Sequence, residues 1–242
     1  MNSSSAETAL QNSAALVIGT GALGSALAAR LQSVDLYQRV LLLGRRSEPA
    51  IDYEKESLLA QAAHWTQAQC APSGLDLRLI VVCTGFLHGP TGQPERSWQQ
   101  LDSAYLSHSF LINALGPALV IKHFFPLLPR QGICRTIFLS ARVGSIGDNR
   151  LGGWYGYRAS KAALNQLVRT ASIEMSRRNR ESVVAALHPG TVDSPLSAPF
   201  SKSGLQVRSP QEAAAQLEPV IHALTAAQTG QFVDAQGQTV PW

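Results

Sequence analysis

A short apolar run, Ala14 to Ile18, passes directly into Gly19-Thr20-Gly21-Ala22-Leu23-Gly24 and then into Ser25-Ala26-Leu27-Ala28-Ala29-Arg30-Leu31, a stretch of good helix formers. Strand, glycine turn and helix in that order leave few choices. The glycines let backbone approach a ligand closely, and the helix start offers unspent N–H groups and the positive end of its dipole. The segment therefore reads as a pyrophosphate cradle, with Gly19, Thr20, Gly21, Ala22, Leu23 and Gly24 around the phosphates. The alternative is a tight βα turn without a ligand.

The next strand, Val40 to Gly44, ends in Arg45-Arg46. An acid at the end of the second strand would pair with a ribose 2′-hydroxyl, whereas arginine accommodates a 2′-phosphate. No acid occupies Gly44 to Ser47, which favours NADP(H) over NAD(H), through Arg45 and Arg46. Ile51-Asp52-Tyr53 follows Arg46 too soon for a crossover helix, so a third strand near Ile51 should be short or irregular.

Further along, Glu54 to Gln69 is expected as a helix, and Leu77 to Cys83 as a deeply buried strand ending at Thr84-Gly85. A long helix capped by Ser97 or Asp102 should kink at Asn113, because Pro117 crowds the carbonyl four residues back. A strand from Ile133 ends at Ser140, and a glycine-rich loop leads to a helix over 155–178. After the strand Val183 to Leu187 comes His188-Pro189-Gly190. Residues 191–209 read as a lid with Val192, Leu196, Phe200 and Leu205 on it; Ser209-Pro210 starts a last helix. The alternation implies an α/β chain: after a flexible arm over 1–13, residues 14–242 form a single Rossmann-type domain, a doubly wound parallel sheet with helices on both faces. Ligands on such sheets lie beyond the strand C-termini, where Thr84, Gly85, Ser140, Pro189 and Gly190 gather with the glycine turn.

Tyr157-Arg158-Ala159-Ser160-Lys161 carries the chemistry. Tyr157 and Lys161, four apart on a helix, share one face. An ammonium beside a phenol lowers the phenol's pKa from its ordinary ~10 and suits it to general acid or base work.

The glycines 19, 21 and 24, Asn113, Ser140, the Tyr157 to Lys161 segment and Pro189-Gly190-Thr191 together resemble the short-chain dehydrogenase/reductase family over roughly residues 14–235. Ser140 to Ser145 followed by Gly152 to Tyr155 is similar to its C-factor-like branch. The resemblance implies that Tyr157 exchanges a proton with a carbonyl or alcohol oxygen while hydride moves to or from a nicotinamide. Lys161 would lower the phenol's pKa and hold the ribose, Ser140 would bind the substrate oxygen, and Asn113 would hold a water of a proton relay. Thr191 and Val192 would complete the cofactor contacts begun by Pro189 and Gly190. It further implies self-association as a dimer or tetramer through the helices around 97–126 and 155–178. Departures from the family pattern are a glycine turn one residue short, Val82-Cys83-Thr84-Gly85 in place of N-N-A-G, a longer loop before Tyr157, and the lost crossover helix. That last loss opens the adenine side, with Asp52 and Tyr53 as contacts.

Composition excludes other classes. The net charge of +4 is spread without a basic stripe or interleaved aromatics, against a nucleic-acid partner. Three cysteines, Cys70, Cys83 and Cys134, lack the spacing of a zinc site or disulfide framework, in keeping with a reduced cytoplasmic setting. The N-terminus lacks a signal-peptide pattern, and no eighteen apolar residues run together, against a membrane partner. The leading expectation is an NADP(H)-dependent oxidoreductase acting on a partly apolar carbonyl or alcohol, with Phe86, Leu87 and Trp154 adding to its pocket. The other is a dinucleotide-binding sensor with incidental turnover.

Overall fold

The computed structural model describes residues 10–90, 92–200 and 207–242. Most of the expected arm, and Leu205 of the expected lid, lie outside the described residues. Parallel strands β1 (Ser13–Ile18), β2 (Arg39–Leu43), β3 (Asp76–Val82), β4 (Cys134–Leu139), β5 (Ser182–His188) and β8 (Phe232–Asp234) form one sheet in the order β2-β1-β3-β4-β5-β8. A small second sheet pairs β6 (Thr191–Val192) with β7 (Val207–Arg208). The helices are α1 (Ala22–Ser33), α2 (Glu56–Cys70), α3 (Ser103–Phe110), α4 (Gly116–Phe124), α5 (Tyr155–Arg178) and α6 (Pro210–Ala223).

The two-residue period of a strand sorts the core into two layers. Ala14, Leu16 and Ile18 of β1 face Leu59 and Ala62 of α2, Val120 and Phe124 of α4, and Leu164 and Val168 of α5. Ala15 and Val17 face the other way, onto Leu27 and Leu31 of α1 and Leu217 and Ile221 of α6. The apolar runs Ala14–Ile18 of β1, Leu79–Val82 of β3 and Val183–Leu187 of β5 follow from this, since a parallel strand with helices on both faces has no wet side. Each of these fully buried leucine or phenylalanine side chains contributes roughly 1.5–3 kcal/mol relative to exposure.

Local signals act as their chemistry requires. The Asp102 side chain accepts the Tyr105 amide and caps α3; Ser97 precedes a short 3-10 turn instead. Ser209 and Glu212 form a reciprocal capping box at the start of α6. Between α3 and α4 the chain takes a π-turn, Leu111–Leu115, centred on Asn113. The distortion expected from Pro117 is thus a widened turn, absorbed without ending the helix. The run Ser103–Leu127, which holds an 18-residue stretch of mean hydropathy 1.5, is long and apolar enough to cross a membrane, a feature that counting consecutive apolar residues overlooks. Here its inner face is core: Tyr105, Asn113, Val120 and Phe124 are buried.

Three expectations change. The third strand does not form: beyond β2 the chain turns back through one bond from the Ile51 amide to the Gly44 carbonyl at 2.9 Å, and β2 is the sheet edge. With both the strand and its crossover helix gone, α2 alone carries the chain across to β3. The inner end of the expected arm belongs to the domain, since Ser13 pairs with Asp76 and Leu10 is buried. The lid segment is not wholly irregular, because β6 and β7 clamp its two ends together.

Tyr53, two residues past Ile51, turns inward from the loop after β2. It is buried, and its ring lies so close over α4 that a Cβ on Gly116 would overlap it. Gly116→Ala is therefore expected to destabilise the fold by about 1–3 kcal/mol through overpacking, read by urea unfolding. Unchanged stability would show that the Tyr53 ring is not held there.

Candidate active site

The rim beyond the strand C-termini is built first by the glycine turn. Gly19 takes φ of 119°, open to glycine and strained for other residues. A Cβ on it would stand 3.0 Å from the Cys83 carbonyl carbon, and a Cβ on Gly24 would overlap the Gly19 carbonyl oxygen. The turn thus presses flat against the end of β3, where the Cys83 amide donates to the Ile18 carbonyl at 2.7 Å. Gly21 differs, since nothing lies within 4 Å of where its Cβ would be. It is the N-cap of α1, which has no side-chain cap and no acid in its first turn. The first amides of α1, at Ala22 and Leu23, therefore face open space with the positive helix end behind them, a fit for an anionic diphosphate. Thr20 lies between, its carbonyl taken by Ser25 Oγ.

Arg45 and Arg46 form the exposed turn after β2, and neither has a hydrogen bond or ion pair among the described residues. Asp52 is half-buried and its Oδ1 accepts the Glu54 amide. Tyr53 is not at the rim: its ring is core, and its hydroxyl lies 2.8 Å from Thr84 Oγ1. Burial pushes its phenol well above the ordinary value. As an adenine contact it is displaced by the packing described above, and Asp52 remains at the surface.

The chemical groups sit on α5 and the end of β4. Tyr157, Lys161 and Asn165 recur every four residues and face inward together. The Lys161 amine donates to the Leu139 carbonyl at 2.8 Å, and Ser140 Oγ donates to Asn165 Oδ1 at 2.7 Å. These two bonds lock the helix across the strand end. Asn165 carries a signal that sequence reading passed over, since it continues the Tyr157–Lys161 face by one more turn.

Burial pushes the Tyr157 phenol up to about 12 and the Lys161 amine down to about 8. The expected lowering of Tyr157 by Lys161 is absent from this arrangement. The amine is itself stripped of water and aimed at Leu139, and desolvation governs both groups. Tyr157 Oη has no hydrogen-bond partner among the described residues, so it is free to take one. Above it the Trp154 ring stands edge-on at 6.2 Å, and Phe200 packs on Trp154 at 5.1 Å. His88 bonds the Pro195 carbonyl at 2.9 Å, pinning the lid's first half over this wall. Val192 is buried beneath it, Leu196 is half-buried, and Pro189, Gly190 and Thr191 form the link from β5 to β6. Of the other expected pocket residues, Leu87 is buried and Phe86 packs on Tyr105 and His108.

Asn113 is fully engaged. Its Oδ1 accepts the Phe86 amide at 2.9 Å, and its Nδ2 donates to the Phe86 carbonyl at 2.8 Å and to Ser160 Oγ at 3.1 Å. Its side chain thus pins the loop after Gly85 to the π-turn. Gly85 keeps the space between small: a Cβ there would lie 3.8 Å from both Asn113 Oδ1 and Lys161 Nζ. Glu95 was also missed, and no local sequence pattern marks it. Only 2% exposed, its two carboxylate oxygens accept the Gly156 amide at 3.2 and 3.1 Å, capping α5 from a distant loop. Trp154, at φ 52°, is the N-cap, and its amide donates to the Glu95 carbonyl.

Comparison with known proteins agrees with this geometry. The family model "short chain dehydrogenase" matches residues 13–204. The C-signal of Myxococcus xanthus is 37% identical over 142 residues, 59% of this chain and 81% of that one. The carbonyl reductase Sniffer of D. melanogaster superposes with a TM-score of 0.81 at 22% identity, covering 96% of this chain and 99% of that chain. An NADPH-bound carbonyl reductase from chicken fatty liver gives the same TM-score and coverage at 20% identity. A sheet of the required order, a glycine turn with an open helix start, and Tyr157 and Lys161 at the rim coincide with a match over most of the chain: the protein belongs to the short-chain dehydrogenase family.

Proposed function

We propose that the protein is an NADP(H)-dependent oxidoreductase that interconverts a small carbonyl compound and its secondary alcohol, with Tyr157 as the proton donor and acceptor. The observation that carries this reading is a buried phenol without a hydrogen-bond partner among the described residues, on the helix tied to the end of β4. The amides of Ala22 and Leu23 would hold the diphosphate, Arg45 and Arg46 a 2′-phosphate, Asp52 the adenine side, and Lys161, Thr84, Gly85 and 189–192 the nicotinamide half. A nicotinamide dinucleotide, when bound, supplies or takes up the hydride. The NADPH-bound structural neighbour supports the choice of dinucleotide.

A phenol with a pKa of about 12 is fully protonated at neutral pH. Tyr157 is thus set as an acid toward a carbonyl oxygen gaining negative charge, which makes reduction the easier direction. To act as the base in alcohol oxidation its pKa must fall, and Lys161, one helical turn away, is the cation placed to do this once its amine leaves the Leu139 carbonyl. Ser140 would turn its hydroxyl, which now donates to Asn165 Oδ1, toward the same oxygen. Trp154 and Phe200 exclude water from one side of the reacting atoms and favour a partly apolar substrate. Self-association as a dimer or tetramer goes with this reading, since Leu115 and Ile173 are exposed on α5 and the π-turn. So does a reducing cytoplasm, as the cysteines are all free.

Tyr157→Phe is expected to lower NADPH-dependent carbonyl reduction by at least about a hundredfold while NADPH affinity stays within a factor of two or so. Dinucleotide binding without turnover in the wild type would favour the sensor reading instead. Arg45→Ala combined with Arg46→Ala should weaken NADPH binding about tenfold or more and leave NADH unchanged, read by fluorescence titration. Equal loss for both dinucleotides would refute the assigned 2′-phosphate contact.

A further inference from the structure

On the far side of Ser140 from the glycine turn, adjoining the proposed nicotinamide position at Gly190 and Thr191, lies a cavity of about 230 Å³. Its walls include Arg142, His188, Gly190, Arg208 and Asp234. The sheet order fixes where it stands. The dinucleotide cradle lies at β1 and β3, whereas this cavity lies at the ends of β5 and β8, across β4. It is next to the reacting groups, since the Ser140 amide bonds the Leu187 carbonyl at 2.8 Å and His188 follows Leu187. Space there is on the substrate's side of the rim.

The polar groups in this cavity are mostly nitrogen donors. Arg142 Nε donates to Asp148 at 2.6 Å, but its two terminal nitrogens have no hydrogen-bond partner among the described residues. The Arg208 guanidinium crosses the Gly190 backbone: Gly190 has φ 78°, and a Cβ there would lie 3.1 Å from Arg208 Nη1. Burial holds His188 neutral, down to about 4, so it adds an N–H and no charge. The one acid in the wall is Asp234: its Oδ1 accepts the backbone amides of Gln236 and Gln238, and its charge also acts on Arg142 and His188. Two guanidinium groups therefore line a pocket with one acid, an excess of donors and positive charge that suits a carboxylate or phosphate.

We propose that this cavity is an anion subsite, and that the compound reacting at Tyr157 carries a carboxylate or phosphate-type group held by Arg142 and Arg208. The inference rests on the oxidoreductase reading for its substrate but can be tested by binding alone. The substrate is then amphiphilic in a defined way. Its apolar side lies under Trp154 and Phe200, and its anionic end is directed past Ser140.

The test is titration calorimetry on the full chain at low ionic strength with three ketones: 4-oxopentanoate, its methyl ester, and 2-oxopropylphosphonate. At least one of the two anions should bind about tenfold or more tightly than the ester, and the stronger of them identifies whether the natural group is a carboxylate or a phosphate. Arg142→Gln and Arg208→Gln should each remove about tenfold of that preference and leave the ester unaffected. If either variant melts well below the wild type, the matching lysine variant replaces it and should fall between the two affinities. Anions that bind no better than the ester, or an anion preference that survives both substitutions, would overturn the proposal. Anion binding that persists in a protein that takes up no NADPH would keep the subsite and sink the oxidoreductase reading.

Discussion

Two hydrogen bonds across the end of β4 govern the site: the Lys161 amine to the Leu139 carbonyl, and Ser140 Oγ to Asn165. They join consecutive residues of the strand end to consecutive turns of α5, so the helix can neither slide nor roll without breaking both. Both are buried, where an unmet donor or acceptor costs about 1–3 kcal/mol. Glu95 fixes the same helix at its other end by accepting the Gly156 amide. Tyr157 sits between these anchors. Its position is therefore a property of the packed fold, and the high phenol pKa is a consequence of the same burial.

The opposite wall is set by close approach. The glycine turn lies against Cys83, and Asn113 reaches back from the π-turn to hold the next residues, Gly85 and Phe86. The π-turn and the glycine turn are thus coupled through the short stretch 83–86, which forms the floor of the crevice. From the loop after β2, Tyr53 turns inward onto α4, and its hydroxyl ties to Thr84. Arg45 and Arg46 stand exposed in the turn after β2.

The sheet and the inward face of α5 that carries Tyr157 and Lys161 were legible because they rest on short-range rules. Unbroken apolar runs gave the buried strands, the Tyr157–Lys161 spacing gave one helical face, and Ser209-Pro210 gave a helix start. What could not be read depends on partners far apart in the chain. Glu95 capping α5, Asn113 binding Phe86, and Tyr53 turning inward are each settled by tertiary packing with no local pattern. The pKa of Tyr157 belongs to this second kind. A four-residue spacing announces a neighbouring cation, but it does not say that the cation is buried and aimed elsewhere. Asn165 is intermediate, since its spacing is on the page but its role appears only when the end of β4 is placed against it.

The central claim is that the dinucleotide lies along the rim from the start of α1 to Tyr157. A crystal structure of the protein soaked with NADP⁺ tests it most directly. The account predicts the diphosphate at the amides of Ala22 and Leu23, the 2′-phosphate at Arg45 and Arg46, and the nicotinamide between Tyr157 and Gly190. A dinucleotide bound elsewhere, or a nicotinamide ring out of reach of the Tyr157 hydroxyl, would contradict it.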